Sequence, residues 1–339
     1  MAKTKELKTN MLRERAEKLK DITEEMWKEV NEENRYIVDE YFESNQQLSP
    51  KTLIQYKSGL RIFFWWVKMK CHNKPLYQIK KRDFIKYRSF LINHGLSSNA
   101  LGFKKSAVSS LCNFIENIYS EEDENYENFR NITRGLPAIP KNKVYEKVKI
   151  SLEEYEEMMK VLEEQKDYLG MAWLATGFNV GARRTEIIQF KTEILDYEKH
   201  KNSKGESQNY ILTHIVRGKG RGRDGKPLRY MLNDEAIKYM KLWVENRGYE
   251  SEYIFTSKYG GEIKPLSEGW ANNFCSNKLS YILERRINPH LLKSSCITYL
   301  LESGKDMKTV SKYIAQHESV ETTAIYDLRD DEDERDSIF

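Results

Sequence analysis

Residues 217–226, Arg217-Gly-Lys219-Gly-Arg221-Gly-Arg223-Asp224-Gly-Lys226, are the stretch on which the fold turns. Residues 210–216 ahead of it are β-prone and 230–232 behind it read as a second strand, so the segment is the glycine-rich tip of a β-hairpin. Six cations, Arg217, Lys219, Arg221, Arg223, Lys226 and Arg229, stand against one acid, Asp224, and four glycines permit close approach to another backbone. Such a tip suits phosphates, although charge alone would serve a non-specific electrostatic finger equally well. Outward from the hairpin the periodicity becomes helical. Ser151 with Glu154 is a capping signal for a helix through Met158 and Leu162. An apolar helix follows around 169–176, and others start near Asp234, span 270–283 and run on from His290. The expected fold is mainly α with a small β-sheet, an α+β class.

A second module lies N-terminal to this one. Ser49-Pro50 is a strong helix start, serine as N-cap and proline at the first helical position. Leu53, Tyr56, Leu60, Phe63, Phe64 and Val67 then recur at helical spacing, with Lys51, Lys57, Arg61 and Lys68 mostly off that stripe. A short helix over 81–93 closes at His94-Gly95. Ser97 or Ser98 caps a longer one with Leu101, Val108, Leu111, Ile115 and Ile118 on one face. From Ser49 to Tyr119 there are thirteen Lys/Arg against two acids, Asp83 and Glu116. A solvated face is the plain reading of so basic a stretch. Here the apolar residues between the charges describe packed helices, so the charge forms an organised surface for a polyanion.

Residues 1–45 read as a polar helical leader with a weak stripe (Leu12, Ala16, Leu19, Ile22, Met26, Trp27), able to dock on the body or on a second copy. Acidic residues at 120–127 and then Pro137 and Pro140 mark a boundary. The expected organisation is a leader over 1–45, a basic helical domain over 46–130, a linker over 131–147 and a second domain over 148–339. The last ends in an acidic tail, residues 327–336 holding seven acids against two arginines.

At 339 residues, 39% hydrophobic and 32% charged with a net charge of +4, the chain is expected to be a soluble two-domain protein with a real core. No apolar run approaches the ~20 residues that span a membrane, and the first residues lack the apolar segment of a secretory signal. Cys71, Cys112, Cys275 and Cys296 lie far apart, without metal-ligand spacing, and read as reduced thiols of a cytosolic protein.

Several residues of the second domain suit a phosphodiester. Gly181-Ala-Arg183-Arg184-Thr-Glu186 is a turn feeding a helix start, where Arg183 can fork onto an anion and Glu186, three residues on, can orient it. Lys219 on the hairpin can donate a proton to a leaving alkoxide. His290 enters a helix after Asn288-Pro289, with Lys293 one turn later. His317 follows Gln316 at a turn, and Tyr326 lies nine residues beyond. Taken singly, each has a bland reading as a surface or core residue.

Their order and spacing resemble the tyrosine recombinase (phage integrase) family over roughly residues 45–329. GARRTE supplies Arg183 and Glu186, RGKGRGR supplies Lys219, PHLLKSS supplies His290, and QHESVETTAIY supplies His317 and Tyr326. LSPKTLIQYKSGLRIFFWWV looks like part of the family's core-binding domain. The resemblance implies a C-shaped clamp on double-stranded DNA, without metal or other cofactor. Its chemistry would be a 3′-phosphotyrosyl link made by Tyr326, with Arg183 on a non-bridging oxygen, the two histidines donating hydrogen bonds or moving protons, and Lys219 protonating the leaving oxygen. Lys51, Lys57, Arg61, Lys104, Lys105, Arg184, Arg217, Arg221 and Arg223 are expected at the DNA. A cytoplasmic location on the nucleoid of a bacterial host, and self-association through the C-terminal segment, belong to the same expectation.

Two positions depart from the pattern. The family's second arginine falls at Lys293, where a point charge replaces a planar fork. Losing one charge-assisted hydrogen bond costs roughly 1.5–3 kcal/mol. Gln316 stands where the family has glycine before the histidine. Two readings follow: a DNA-binding phage regulator (a repressor) with impaired strand exchange, which the damaged clamp favours, or an active site-specific recombinase.

Overall fold

The computed structural model describes residues 17, 19–138, 148–220, 225–317 and 319–328. Arg221, Arg223, the stripe residues Leu12 and Ala16, and most of the acidic tail lie outside these residues. The described residues fall into two units, each with its own core.

Helices build the first unit. α1 (Glu24–Lys28) and α2 (Glu32–Glu43) come from the leader, and Asn31 caps α2 by accepting from the amides of Glu33 and Asn34 at 3.0 and 3.3 Å. α3 (Pro50–Lys70) starts as its sequence dictates, Ser49 Oγ accepting from Thr52 N at 3.2 Å with Pro50 at the first position. α4 (Lys81–Asn93), α5 (Ser98–Asn117) and the short α6 (Tyr119–Glu122) complete it. α3 and α5 cross closely at Gly59, where a Cβ would stand 3.2 Å from Ala107 Cβ. Phe63, Phe64 and Leu111 are fully buried there, each worth about 1.5–3 kcal/mol relative to exposure.

Trp27, Val30, Ile37, Val38 and Tyr41 join this core, so residues 27–41 of the leader dock on the body. The first residues of the expected linker also pack here. Ile132 is buried in the same core, and Asn131 Nδ2 donates to Ser109 O and Asn113 Oδ1 at 3.1 and 2.8 Å.

The second unit is arranged around α8 (Tyr168–Val180), buried along nearly its whole length. α7 (Leu152–Glu164) precedes it behind a capping box between Ser151 and Glu154, and the four-residue α9 (Arg184–Ile187) follows it. Three antiparallel strand pairs come next. β1 (Ile211–Leu212) pairs with β4 (Met231–Leu232), and β2 (Val216–Gly218) with β3 (Lys226–Leu228). The expected single hairpin is thus split in two. Thr213 divides it: its Oγ1 accepts from Tyr230 N at 3.0 Å and donates to His214 O at 2.8 Å, replacing ladder bonds.

After α10 (Asp234–Asn246) comes a pair that the sequence reading missed, β5 (Thr256–Tyr259) with β6 (Glu262–Pro265). The Gly260-Gly261 turn, both residues at positive φ, was its signal. α11 (Glu268–Asn273), a π turn and α12 (Ser280–Ile282) lead to α13 (Pro289–Glu302), which packs on α8. Gly177 permits that crossing, since a Cβ there would lie 2.8 Å from Leu292 Cδ1. α14 (Met307–Val310), a second π turn (Ser311–Ala315) and α15 (Val320–Ala324) close the described chain. Among the described residues no helix is long and apolar enough to cross a membrane, and no cluster of His, Cys, Asp and Glu could hold a metal ion.

Candidate active site

α8 ends at Gly181 in the left-handed conformation (φ +67°), where any Cβ would press on Ile314 Cγ2 at 2.8 Å. That turn makes Arg183 the N-cap of α9. Glu186, fully buried, accepts from Arg183 N at 2.7 Å and from Arg183 Nη1 at 3.1 Å, and also from Tyr230 Oη at 2.5 Å. Burial works against the Arg183 charge, but Glu186 outweighs it and holds the guanidinium pKa above its ordinary value. Arg183 is therefore a permanent, oriented cation.

The β2–β3 hairpin packs directly onto this pair. A Cβ on Gly218 would lie 3.0 Å from Glu186 Oε1 and 2.3 Å from Leu228 Cδ1, so only glycine lets the strand run so close. Gln189 fastens the ribbon, its Nε2 donating to Arg217 O at 2.9 Å while its Oε1 accepts from Arg217 N at 2.8 Å. Val216 and Leu228 face inward and Arg217 outward; Lys219, beyond the strand, is exposed.

Lys293, on the second turn of α13, has 0% exposure. Its Nζ donates to Ala315 O at 2.7 Å and lies 5.8 Å from the Tyr326 ring centroid. Burial, and after it the Arg183 charge, lower its pKa to about 7. The carbonyl it holds immediately precedes Gln316, which is left-handed at φ +55°. Glycine takes that conformation freely; glutamine does so here with Nε2 anchored on Arg229 O at 2.9 Å.

The turn delivers His317, 9% exposed, with Nδ1 at 2.8 Å from Thr323 Oγ1 and its ring 4.8 Å from that of Tyr326. Nε2 is buried without a partner. Burial first, then the charges of Lys293, Arg183 and Lys226, lower the His317 pKa to about 3, so the ring is neutral near pH 7. Tyr326 is half-buried against the small cluster of Ile297, Leu301, Val310 and Ala315. His290 is exposed on the first turn of α13.

Arg183, Glu186, Lys293, His317 and Tyr326 are thus brought together, while Lys219 and His290 stand exposed. Among the expected DNA contacts, Lys51, Lys57 and Arg217 are exposed. Lys104 and Lys105 are half-buried, and burial lowers the Lys104 pKa. Two others are engaged inside the protein. Arg61 forks onto Glu24 at 2.7 and 2.9 Å and covers the Trp27 ring. Arg184 donates to Glu268 at 2.9 Å and Asn272 at 2.7 Å. The sequence reading missed Tyr230 and Thr323, whose roles depend on contacts distant in sequence or on the shape of a turn.

The Phage integrase family matches residues 149–333. The SPbeta prophage-derived recombinase-like protein YomM of Bacillus subtilis (strain 168) is 56% identical over 338 residues, 99% of either chain. Among solved structures, the XerH site-specific recombinase bound to palindromic difH substrate has a TM-score of 0.61 at 17% identity, over 95% of this chain and 97% of that one. A lambda integrase dimer bound to a COC′ core site has a TM-score of 0.61 at 16% identity, over 88% and 77%. A helical N-terminal unit, a helical second unit with small antiparallel sheets, and the Arg183–His317–Tyr326 constellation accompany this similarity, and the chain belongs to the phage integrase, or tyrosine recombinase, family.

Proposed function

We propose that this protein binds a specific site on duplex DNA through its recombinase architecture, cleaves that DNA slowly or not at all, and serves a prophage as a DNA-binding regulator, a repressor. One observation carries the impairment: Lys293 Nζ is turned inward onto Ala315 O at 2.7 Å with no exposed surface, so its charge is not presented to a phosphate. Withdrawing one cation from the transition state slows cleavage roughly 10- to 100-fold or more. Binding relies on what remains: Arg183 as oriented cation, the exposed hairpin residues Arg217 and Lys219, and Lys51 and Lys57 on α3. The similar solved recombinases are described bound to DNA, one of them as a dimer. Self-association here would use the C-terminal segment.

The second reading, a working recombinase, has its own support in the gathering of Arg183, His317 and Tyr326. Tyr326 Oη, its proton passing to solvent, would attack phosphorus to form the phosphotyrosyl bond and release the 5′ oxygen, which takes a proton from Lys219. Thr323, donating to His317 Nδ1, would leave the hydrogen on Nε2, ready for a non-bridging oxygen. His290 would give a further hydrogen bond.

Duplexes enriched from a randomised pool provide the test. They should bind with affinity that falls steeply as salt rises, through counterion release. On the same duplexes carrying a nick, the unaltered chain should give little or no covalent adduct and Lys293→Arg should give more. An abundant wild-type adduct, lost in Tyr326→Phe, would establish the recombinase instead. Affinity independent of salt would count against both readings.

A further inference from the structure

We propose that Lys226, on the inner face of the β2–β3 ribbon, supplies the second cation of the phosphate pocket, the place vacated by Lys293. This rests on the DNA-binding reading above and names a residue that the motif pattern does not.

The placement follows from register. Gly218 pairs directly with Lys226 across the antiparallel ladder, and directly opposed residues project from the same face. That face is identified twice. The absent Gly218 side chain points at Glu186, since its Cβ would be 3.0 Å from Oε1. The flanking Val216–Leu228 pair on the same face is buried in the core. Alternation then sets Arg217 and Pro227 outward, both exposed, and Lys226 inward, half-buried, toward Glu186 and the Arg183 that Glu186 holds. Lys219 lies one residue past Gly218 and is exposed. Gly220 tightens the turn, for a Cβ there would sit 2.8 Å from Lys226 N.

The charge of Lys226 is felt inside the pocket, where it helps depress the basicity of His317. No carboxylate among the described residues pairs with it. A flexible ammonium on a ribbon clasped to α9 reaches a phosphate by swinging its stem, whereas Lys293 is fixed from below by Ala315 O.

The test replaces each phosphate of the selected duplex, one at a time, with a neutral methylphosphonate and measures the drop in affinity. The pocket phosphate is the one whose neutralisation penalty falls in Arg183→Gln, a variant that keeps a hydrogen bond to Glu186. For the unaltered chain that penalty should be roughly a hundredfold, the size of two charge-assisted hydrogen bonds, one from each cation. It should shrink by about tenfold in Lys226→Ala, return in Lys226→Arg, and persist in Lys219→Ala. A penalty left intact by Lys226→Ala, whatever Lys219→Ala does, overturns the assignment of Lys226 alone. Failure of the unaltered chain to bind duplexes overturns the functional reading, and this proposal with it.

Discussion

Lys293→Met tests the buried ammonium on which the impaired clamp depends. The lysine pKa falls from 10.5 to about 7 in the folded chain, for want of water and because Arg183 is near. Below pH 7 both folded and unfolded chains hold the proton, and the folded state bears the full penalty. Lowering a lysine pKa from 10.5 to about 7 amounts, at 1.36 kcal/mol for each tenfold, to about 5 kcal/mol. Between pH 7 and 10.5 the unfolded chain binds more protons than the folded one, so stability rises with pH and the penalty fades. Methionine fills the same unbranched channel without charge. It also forfeits the Ala315 hydrogen bond, worth about 1.5–3 kcal/mol to a charged donor.

Lys293→Met should therefore be the more stable protein at pH 7, by roughly 2–3 kcal/mol. That advantage should fall by about 2.5 kcal/mol from pH 7.5 to 9.5, to near zero. His317 does not interfere in this window. Its folded pKa is lowered to about 3, so its contribution is lost as pH falls below about 6.5, outside the range used. Urea unfolding of the second unit at several pH values, parent against variant, measures the difference directly. A difference that stays flat with pH would refute the reasoning and mean that the ammonium is compensated by something other than the neighbours described.

Other perturbations separate structural cations from DNA-facing ones. Lys57→Ala should lower the slope of log affinity against log salt by about 0.9, the share of a single phosphate, whereas Arg61→Ala should leave that slope unchanged and lower stability, because Arg61 is engaged with Glu24 and Trp27; mobility shifts over a salt series read both. Gly218→Ala should destabilise by about 1–3 kcal/mol in urea and weaken DNA retention, since its methyl would collide with Leu228 and press on Glu186. Thr323→Val should cost about 1–2 kcal/mol, because His317 Nδ1 loses its partner inside the protein, and thermal unfolding measures it.

Much of this molecule is written in local signals. Ser49-Pro50 and Ser151 with Glu154 announce their helices because the capping atoms lie within three residues of one another. Gly181 announces the turn that aims Arg183. The direction taken by Lys293 was not legible: its partner, Ala315 O, is 22 residues away and exists only once the chain has folded back. The partners of Arg61 and Arg184 were not legible either, because nothing near them in sequence reveals Glu24 or Glu268. Gln316 read as a defect. In the fold its side chain holds a left-handed turn that glycine would have taken without help. The inward face of Lys226 was not legible either, because residues 217–226 read as one loop tip and the short strand that carries it, Lys226–Leu228, shows only in the fold.

The clasp made by Gln189 has a consequence of its own. One carboxamide meets both the N–H and the C=O of Arg217, as a neighbouring strand would, and so seals the rim of a two-stranded ribbon that would otherwise invite pairing with another polypeptide. Glutamate at this position could still accept but could no longer donate, and would set a negative charge beside DNA-seeking cations. The same amide that keeps the ribbon solitary thus ties it to the segment of α9, whose N-cap is Arg183.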